Sequence, residues 1–183
     1  MAASTGATIT DLYKLADNAK AELVNGELVF MSPTGDLPSS ASGVIYASLL
    51  AYARRTKTGR AYGDNTGFIV TLPHRTSFSP DAAFHTGKRT GMRFLEGAPV
   101  FAVEVRSEND YGPAAERALA EKRADYFAAG TQVVWDVDLL SEAVVNVYRA
   151  SDPNSPMIYR RGEVAEAEPA VPGWALAVDE LYE

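Results

Sequence analysis

Two carboxylates interrupt short apolar segments of this sequence. Asp81 precedes Ala82-Ala83-Phe84, and Glu104 lies within Val103-Glu104-Val105. Carboxylates are almost never fully buried unless they are paired or bind a metal. Side chains alternate along a strand, so Glu104 faces away from the two valines, toward a cleft or toward solvent. On neighbouring strands, these two acids would form a candidate oxygen-ligand pair for a hard cation such as Mg²⁺.

A helix is predicted after the second of these strands, because Gly112-Pro113 is typical of a helix start and Gly130 of a helix end. Lys122 lies on the same core-facing stripe as Leu119 and Tyr126, since the three residues are spaced by three and four positions. Its ammonium can therefore reach the two carboxylates, or it can form a salt bridge that covers the core. Both interpretations stay open at this point.

The acids, the lysine and several turns follow one another in a specific order. That order is Glu-Leu-Val-Asn-Gly-Glu-Leu (Glu22 to Leu28), Met31-Ser32-Pro33, Pro80-Asp81, Val103-Glu104-Val105, Lys122 with Tyr126, Gly130, and Val134-Trp135-Asp136-Val137. It resembles the Uma2 family, formerly a domain of unknown function, which is assigned to the PD-(D/E)XK, or restriction-endonuclease-like, superfamily of nucleases. The resemblance extends from about Thr8 to Tyr182.

The resemblance implies a metal-dependent endonuclease that hydrolyses phosphodiester bonds of DNA, with Mg²⁺ or Mn²⁺ as cofactor. Asp81 and Glu104 match the two acids of the superfamily signature, which hold the metal. Arg106 stands in the place of the signature lysine, where it is expected to contact a phosphate or to hold Glu104. Lys122 matches a catalytic lysine that the family carries on the following helix, and Glu22 matches an early glutamate of the site. Superfamily members often pair two active sites, so a homodimer is expected as well.

One region departs from the family pattern. The family usually has a histidine a few residues after the Ser-Pro turn, whereas Leu37, Pro38, Ser39 and Ser40 occupy that region here. The alternative function is therefore that of a non-catalytic member of the same fold, which binds nucleic acid or protein without cutting it. Both functions use the same residue types, so the sequence does not separate them.

Length and composition predict one globular domain over residues 1–183, since 46% of the residues are hydrophobic and 22% are charged. Met1 to Thr10 lacks the basic start and the apolar stretch of a signal peptide, and no apolar segment approaches the length of a membrane span. A cytoplasmic protein with no membrane partner is therefore expected. The absence of cysteine excludes disulfides and thiolate metal sites.

Charge is unevenly distributed along the chain. The formal net charge is −7, which argues against a nucleic-acid partner. Between Arg54 and Arg93, however, eight basic and two acidic residues give a local charge of +6. This segment is either part of a nucleic-acid footprint or an ordinary solvated surface.

The order of helix-like and strand-like segments predicts an α/β fold, with a restriction-endonuclease-like core in which helices flank a mixed, twisted sheet. Asn25-Gly26 is typical of a type I′ turn and predicts an N-terminal hairpin that pairs Leu23 with Leu28. The predicted helices are Ile9 to Asn18 with Thr10 as N-cap, Ser39 to Arg55, and Pro113 to Ala129. The predicted strands are Ala61 to Leu72, Ser79 to Phe84, and Val133 to Val137. A C-terminal antiparallel hairpin, available for dimer pairing, is expected from residues 144–149 and 157–161, with Asp152-Pro153-Asn154 between its strands.

Overall fold

A six-stranded mixed sheet lies at the centre of the fold, with smaller sheets and helices packed around it. The computed structural model describes residues 6–15 and 19–183. The helices are α1 (Ile9–Tyr13), α2 (Asp36–Thr56), α3 (Pro113–Ala128) and a C-terminal 3-10 helix (Val178–Tyr182). The strands are β1 (Ala21–Val24), β2 (Glu27–Phe30), β3 (Arg60–Gly63), β4 (Phe68–Ile69), β5 (Ser77–Phe78), β6 (Ala82–His85), β7 (Leu95–Glu96), β8 (Phe101–Val105), β9 (Val133–Val137), β10 (Val145–Arg149), β11 (Asp152–Tyr159), β12 (Val164–Glu166) and β13 (Ala175–Ala177).

The central strands lie in the order β11-β10-β9-β8-β6-β3. β8 and β9 are parallel, and every other neighbouring pair in this sheet is antiparallel. β8 and β9 are rich in apolar residues throughout because both faces of the sheet are covered. The predicted α/β class, the mixed sheet and the central place of Val133–Val137 are therefore confirmed.

The two faces of the sheet have different partners. One face packs against α2, where Leu49 is fully buried in the same cluster as Trp135. The other face packs against α3 and against a small sheet of order β5-β4-β7. There the Tyr126 ring stacks on Phe78, with 4.0 Å between the ring centroids. Glu104 belongs to this second face, which α3 covers.

α3 connects the parallel strands β8 and β9, a connection that requires a crossover. The helix begins at Pro113, after Gly112 with a φ of 92°, and Gly130 follows its end with a φ of 104°. The observed helix ends one residue before the predicted Ala129. Because it returns across the sheet, α3 places its side chains above the end of β8.

The N-terminal hairpin has the predicted register, with Leu23 opposite Leu28. Asn25 and Gly26 have φ values of 51° and 73°, and positive φ at both positions is what a type I′ turn requires. The Leu23 carbonyl accepts a hydrogen bond of 3.0 Å from the Thr76 amide, next to β5. The hairpin is thereby fixed to the segment that leads into the central sheet.

The N-cap of α1 is Thr8, and the prediction of Thr10 is wrong. The Thr8 hydroxyl accepts a hydrogen bond from the Asp11 amide, and the Asp11 carboxylate accepts one of 2.8 Å from the Thr8 amide. This reciprocal capping box starts the helix at Ile9. The predicted end of the helix at Asn18 lies outside the described residues.

α2 begins at Asp36, three residues before the predicted Ser39, and ends at Thr56. Pro38 falls within its first turn, where the N–H groups have no partner inside the helix and a proline is tolerated. α2 has 21 residues, but neither it nor any other described helix is long and apolar enough to cross a membrane.

The two predicted strands between residues 61 and 84 are both interrupted, the first by a turn in its middle and the second at its start. Ala61 to Leu72 contains β3 and β4, separated by a turn in which Asn65 has a φ of 60°. Ser79 to Phe84 contains only β6, because Ser79-Pro80-Asp81 separates it from β5. Pro80 has no N–H to donate to a strand ladder, which explains the interruption.

The C-terminal hairpin turns earlier than predicted. β11 already begins at Asp152 and includes Pro153 and Asn154, which the sequence placed between the strands. β11 lies at the edge of the sheet, where a proline is tolerated because its missing N–H can face solvent.

Candidate active site

Glu104 lies on β8 and Asp81 lies just before the adjacent strand β6, at the same end of the sheet. The Asp81 amide donates a hydrogen bond of 3.0 Å to the Val103 carbonyl, and the Val105 amide donates one of 2.8 Å to Asp81 Oδ2. These bonds hold Asp81, just before β6, beside the part of β8 that carries Glu104. Both carboxylates line one cleft. The structure thus brings together the two acids that the sequence predicts as metal ligands.

α3 places two donors above Glu104. Lys122 Nζ is 2.9 Å from the Glu104 carboxylate and 2.9 Å from Glu22 Oε1. Tyr126, one turn later, donates a hydrogen bond of 2.6 Å from its hydroxyl to Glu104 Oε1. Residues four apart on a helix share a face, so one helix supplies both contacts. Lys122 contacts Glu104 as its position predicts, but its second acidic partner is Glu22 and not Asp81.

Glu22 lies in the wall of the cleft and is only 4% exposed. Its Oε1 accepts a hydrogen bond of 2.9 Å from the Ser79 amide, and its Oε2 accepts one of 2.5 Å from Arg75 Nη1. Leu23 points to the opposite face of the hairpin, so the observed register turns Glu22 toward the site. Glu22 is therefore a buried, triply contacted carboxylate and not a solvated residue of the polar hairpin face.

Lys20 is a site residue that the sequence analysis does not identify. Its Nζ lies 2.8 Å from Asp81 Oδ1 and 2.6 Å from Asp64 Oδ1. Lys20 stands just before β1, and Asp81 is 61 positions away in the sequence. No local pattern indicates this pair, since it forms only when the hairpin packs beside β6.

Arg75 and Asp125 form a second group that the sequence does not indicate. Arg75 Nε donates a hydrogen bond of 2.8 Å to Asp125 Oδ2, and His74 Nε2 lies 2.6 Å from Asp125 Oδ1. Arg75 also contacts Glu22, so it connects the hairpin to α3. The two histidines have other surroundings, since His74 is paired with Asp125 and His85 is buried beside Phe68.

The carboxylates of the site differ in pKa. Burial raises the pKa of Glu104 to about 7, because Lys122 only partly offsets this effect and the charges of Asp81 and Glu22 add to it. Burial also disfavours the charged form of Glu22, but Lys122 and Arg75 together lower its pKa below the ordinary value. Burial of Lys122 is likewise outweighed, since the two glutamates raise its pKa. The site therefore combines a permanent ammonium with a carboxylate that exchanges its proton near neutral pH.

The ion pairs of the site carry an excess of negative charge. They form two groups, one around Lys20 and one around Arg75 and Lys122. With His74 neutral, their five carboxylates and three cations give a net charge of −2. The carboxylates are Glu22, Asp64, Asp81, Glu104 and Asp125, and the cations are Lys20, Arg75 and Lys122.

The donor set suits a hard divalent cation. Among the described residues, no three acids, histidines or cysteines are grouped so that they could hold a metal ion. Mg²⁺ needs fewer protein ligands, because it is usually bound by one or two carboxylates and completes its shell with water and substrate phosphates. Asp81 and Glu104 offer oxygen atoms only, within surroundings of net negative charge. These two residues therefore fit Mg²⁺ or Mn²⁺.

Arg106 does not contact Glu104, so the interpretation that it holds this residue is wrong. Its Nε and Nη2 each donate a hydrogen bond of 2.8 Å to Asp136, and Nη2 donates a further one of 3.1 Å to Glu116. The carboxylate on the neighbouring strand offers a bidentate partner, which a guanidinium prefers. Arg106 also lines the cleft, and its contact with a phosphate stays a prediction.

The cleft has a volume of about 1730 Å³, larger than the roughly 300–1,000 Å³ of typical small-molecule pockets. Its walls come from the hairpin, the start of α2, the loop before α3 and α3 itself. Leu37 and Pro38, which occupy the region of the expected family histidine, line it as well. Its size suits a polymeric substrate better than a small molecule.

Known proteins resemble this chain in sequence and in fold. The sequence matches the family Uma2, described as “Putative restriction endonuclease”, over residues 9–179. The fold is similar to the crystal structure of a “putative nuclease belonging to DUF820” from Anabaena variabilis, with a TM-score of 0.74, 16% sequence identity, and coverage of 96% of this chain and 97% of that chain. No curated protein matches. Since the family match covers most of the sequence, this chain belongs to the Uma2 family.

Proposed function

We propose that this protein is a metal-dependent endonuclease that hydrolyses phosphodiester bonds of DNA. The family and the fold support a nuclease. The observation that carries the finer proposal is the position of Asp81, just before β6, and of Glu104, on the adjacent strand β8. Both line one polymer-sized cleft, where Lys122 contacts Glu104.

The two acids would hold Mg²⁺ or Mn²⁺. Such an ion lowers the pKa of bound water and neutralises charge on phosphate oxygens. Lys20 and the Val105 amide keep the Asp81 carboxylate in place. Tyr126 fixes the orientation of Glu104 through its hydroxyl. In known metal sites, hydrogen bonds of this kind to the ligand side chains fix their orientation.

Lys122 acts as a cation and not as a base, because Glu104 and Glu22 raise its pKa above the ordinary lysine value. Its ammonium can donate hydrogen bonds to the phosphoryl oxygens and stabilise the negative charge that develops on them. Glu22 holds the ammonium from the opposite side, at 2.9 Å.

Metal-dependent cleavage is the direct test. The protein is incubated with single-stranded, duplex and supercoiled DNA in Mg²⁺, Mn²⁺ or EDTA, and Mg²⁺ binding is measured by calorimetry. We expect cleavage with either metal and none in EDTA. Asp81→Asn should abolish both cleavage and metal binding, while Glu108→Gln, which removes an exposed charge from the same cleft wall, should not. Cleavage that survives Asp81→Asn would place the site elsewhere.

The variant Lys122→Met tests the electrostatic role of this lysine separately from metal binding by the two acids. The variant should bind Mg²⁺ but cleave DNA more slowly, by about 10²–10³-fold, because a charge-stabilising donor is lost. It should also unfold more easily in EDTA, since two carboxylates lose their shared cation. Loss of Mg²⁺ binding together with cleavage would contradict the assigned role.

The second candidate is a protein of the same fold that binds nucleic acid without cutting it. Leu37 and Pro38 favour it, because they place apolar groups on the cleft wall where a histidine is expected from the family pattern. DNA binding with neither Mg²⁺ affinity nor cleavage in the same assays would support this function and exclude the first.

We further propose that the protein is cytoplasmic and forms a homodimer through β11. This strand lies at a sheet edge, and its Met157 and Ile158 are 51% and 39% exposed. An exposed edge offers backbone groups that can pair with a second copy. Sedimentation at high protein concentration should show a dimer, and a monomer throughout would remove this proposal.

A further inference from the structure

Five exposed cations lie at the end of the sheet opposite to Asp81 and Glu104. They come from the last turns of α2 and from the loop after β6, and are called here the basic end: Arg54, Arg55, Lys57, Lys88 and Arg89. Within residues 6–15 and 19–183, none of the five forms an ion pair. Arg55 lies over the Tyr52 ring at 5.6 Å from its centroid. Their charges are therefore available to a partner.

Contacts fix the two segments of the basic end to each other. Arg60, shortly after α2, is opposite His85 in the antiparallel pair of β3 and β6. The Arg60 guanidinium donates a hydrogen bond to the Gly87 carbonyl, in the turn that leads to the loop. Gly59 packs so closely against Phe84 that a Cβ would lie 2.4 Å from its ring. The basic end is thus a defined surface and not two unrelated groups of charges.

β6 separates the basic end from the site. The four residues of β6 follow Asp81 and span about 13 Å. α2 also connects the two, since its start lines the cleft and its last turn carries Arg54 and Arg55. From Pro38 to Arg54 the helix rises about 24 Å, at 1.5 Å per residue. A DNA duplex advances about 3.4 Å per base pair, so the two distances correspond to roughly four to seven base pairs.

The cleft itself has the wrong charge to attract a polyanion. Eight carboxylates and four lysine or arginine side chains line it, which gives a net charge of −4 with His74 neutral. One divalent ion would leave the lining negative. Affinity for nucleic acid comes mainly from neutralisation of phosphates by lysine and arginine. Most of that affinity must therefore arise outside the cleft.

We propose that the basic end binds the phosphate backbone of DNA about four to seven base pairs from the phosphodiester bond in the cleft. This inference rests on the proposed nuclease function. Arg60 also lies near His85, so its positive charge adds to that of the five exposed cations. Phosphate contacts position a duplex without reading its sequence. The basic end thus sets how DNA lies across the cleft.

The test is the salt dependence of DNA binding in EDTA. A fluorescent duplex of about 30 base pairs is titrated with protein between about 50 and 200 mM NaCl. Lys88→Gln/Arg89→Gln should reduce the slope of log Kd against log salt by about 2, because each phosphate contact contributes about 0.9. Arg54→Gln/Arg55→Gln should give a similar reduction, and it guards against a folding defect in the first variant.

The matched control is Arg160→Gln/Arg161→Gln. It removes two adjacent, exposed cations from a turn after β11, one of which, Arg161, is paired with Asp179. Its slope should equal that of the wild-type protein. Wild-type slopes in both basic-end variants, or an equal reduction in the control, would overturn the proposal. Binding of the wild-type protein to phosphatidylcholine–phosphatidylserine vesicles, without binding to the duplex, would also overturn the proposal and would assign the surface to a membrane.

Cleavage assays separate this proposal from the function on which it rests. Bis(p-nitrophenyl) phosphate reaches only the cleft, so basic-end variants should hydrolyse it at the wild-type rate while their KM for the duplex rises. Cleavage together with unchanged salt slopes in the basic-end variants would reject DNA binding by the basic end and would still support the nuclease function. Reduced slopes in a protein that cleaves neither substrate would support the DNA-binding surface and reject the nuclease function.

Discussion

Glu104 and Asp136 occupy equivalent places in the sheet but have different surroundings. They are opposite each other in the parallel register of β8 and β9, each precedes a valine, and α3 covers both. Glu104 lines the cleft, whereas Asp136 is 3% exposed and lies outside it. The two side chains therefore show what distinguishes a candidate catalytic acid from a structural one.

The partners of the two acids account for the difference. Asp136 receives two hydrogen bonds from Arg106, and Arg123 Nη1 lies 3.6 Å from its Oδ2. Glu104 accepts a hydrogen bond from the Tyr126 hydroxyl and contacts the Lys122 ammonium, which it shares with Glu22. Two guanidinium groups compensate Asp136, whereas one shared ammonium leaves negative charge at Glu104. A buried acid can bind a metal only where its charge is not already neutralised.

The largest expected effect is the loss of cleavage in Glu104→Gln. This change keeps the shape of the side chain but removes a negative ligand, and we expect a reduction on the order of 10³-fold or more. Asp136→Asn removes the same charge one strand away and should retain cleavage per folded molecule. Rates are measured on supercoiled DNA at saturating Mg²⁺. Equal losses in the two variants would mean that the two acids do not differ in function.

Asp136→Asn should instead be the more destabilising change. It removes the buried carboxylate that Arg106 and Arg123 share, so that Arg106 keeps its contact with the exposed Glu116 and loses that with Asp136. Removal of one partner of a buried pair costs about 3–5 kcal/mol. Urea unfolding in EDTA should show this loss of free energy for Asp136→Asn. Glu104→Gln should show little loss at neutral pH, because it removes a carboxylate that burial already disfavours. A stable Asp136→Asn variant would contradict the structural role of this acid.

Sequence reasoning locates elements whose determinants are local. The register of the first hairpin follows from Asn25-Gly26, and the position of Lys122 and Tyr126 follows from the period of α3. The alternation of β8 likewise separates Glu104 from its valine neighbours. These patterns suffice to predict the α/β sheet and which side chains approach the end of β8.

Contacts between distant segments escape the same reasoning. Arg75 and Asp125 are 50 positions apart, and no local pattern pairs them. The sequence also cannot tell that Arg106 turns to Asp136 instead of Glu104, since both acids lie within its reach on the same face. Partner choice among several nearby charges depends on tertiary geometry, and so does the difference between a compensated and an uncompensated acid.

A third expected effect is a pH dependence of stability that comes from Glu104. Its pKa in the folded protein is raised to about 7 from 4.5, so its contribution to stability is fully present below about pH 4.5 and is lost as the pH rises to about 7. In EDTA, the wild-type protein should lose about 3 kcal/mol relative to Glu104→Gln over this range. Urea unfolding at several pH values measures the difference. Parallel pH profiles for the two proteins would show that folding does not raise the pKa of the Glu104 carboxyl.

The smallest expected effect is that of Tyr126→Phe, which tests whether the hydroxyl orients Glu104. The ring is fully buried and stacks on Phe78, so phenylalanine preserves the packing and removes only the hydrogen bond of 2.6 Å to Oε1. Loss of a contact that orients a metal ligand typically costs 10–100-fold in metal affinity or activity. We expect the Mg²⁺ concentration for half-maximal cleavage to rise by about tenfold, with the rate restored at high Mg²⁺.

Tyr148→Phe provides the control on the Asp136 side, because the Tyr148 ring lies 3.7 Å from the Arg123 guanidinium and the change again removes one hydroxyl. Its Mg²⁺ requirement should equal that of the wild-type protein, since Arg123 serves the compensated acid and not the cleft. A merely structural role for Tyr126 would lower stability without changing the Mg²⁺ requirement. That outcome would mean that Lys122 alone positions Glu104. Tyr126 and Tyr148 would then both have structural roles and would differ only in burial.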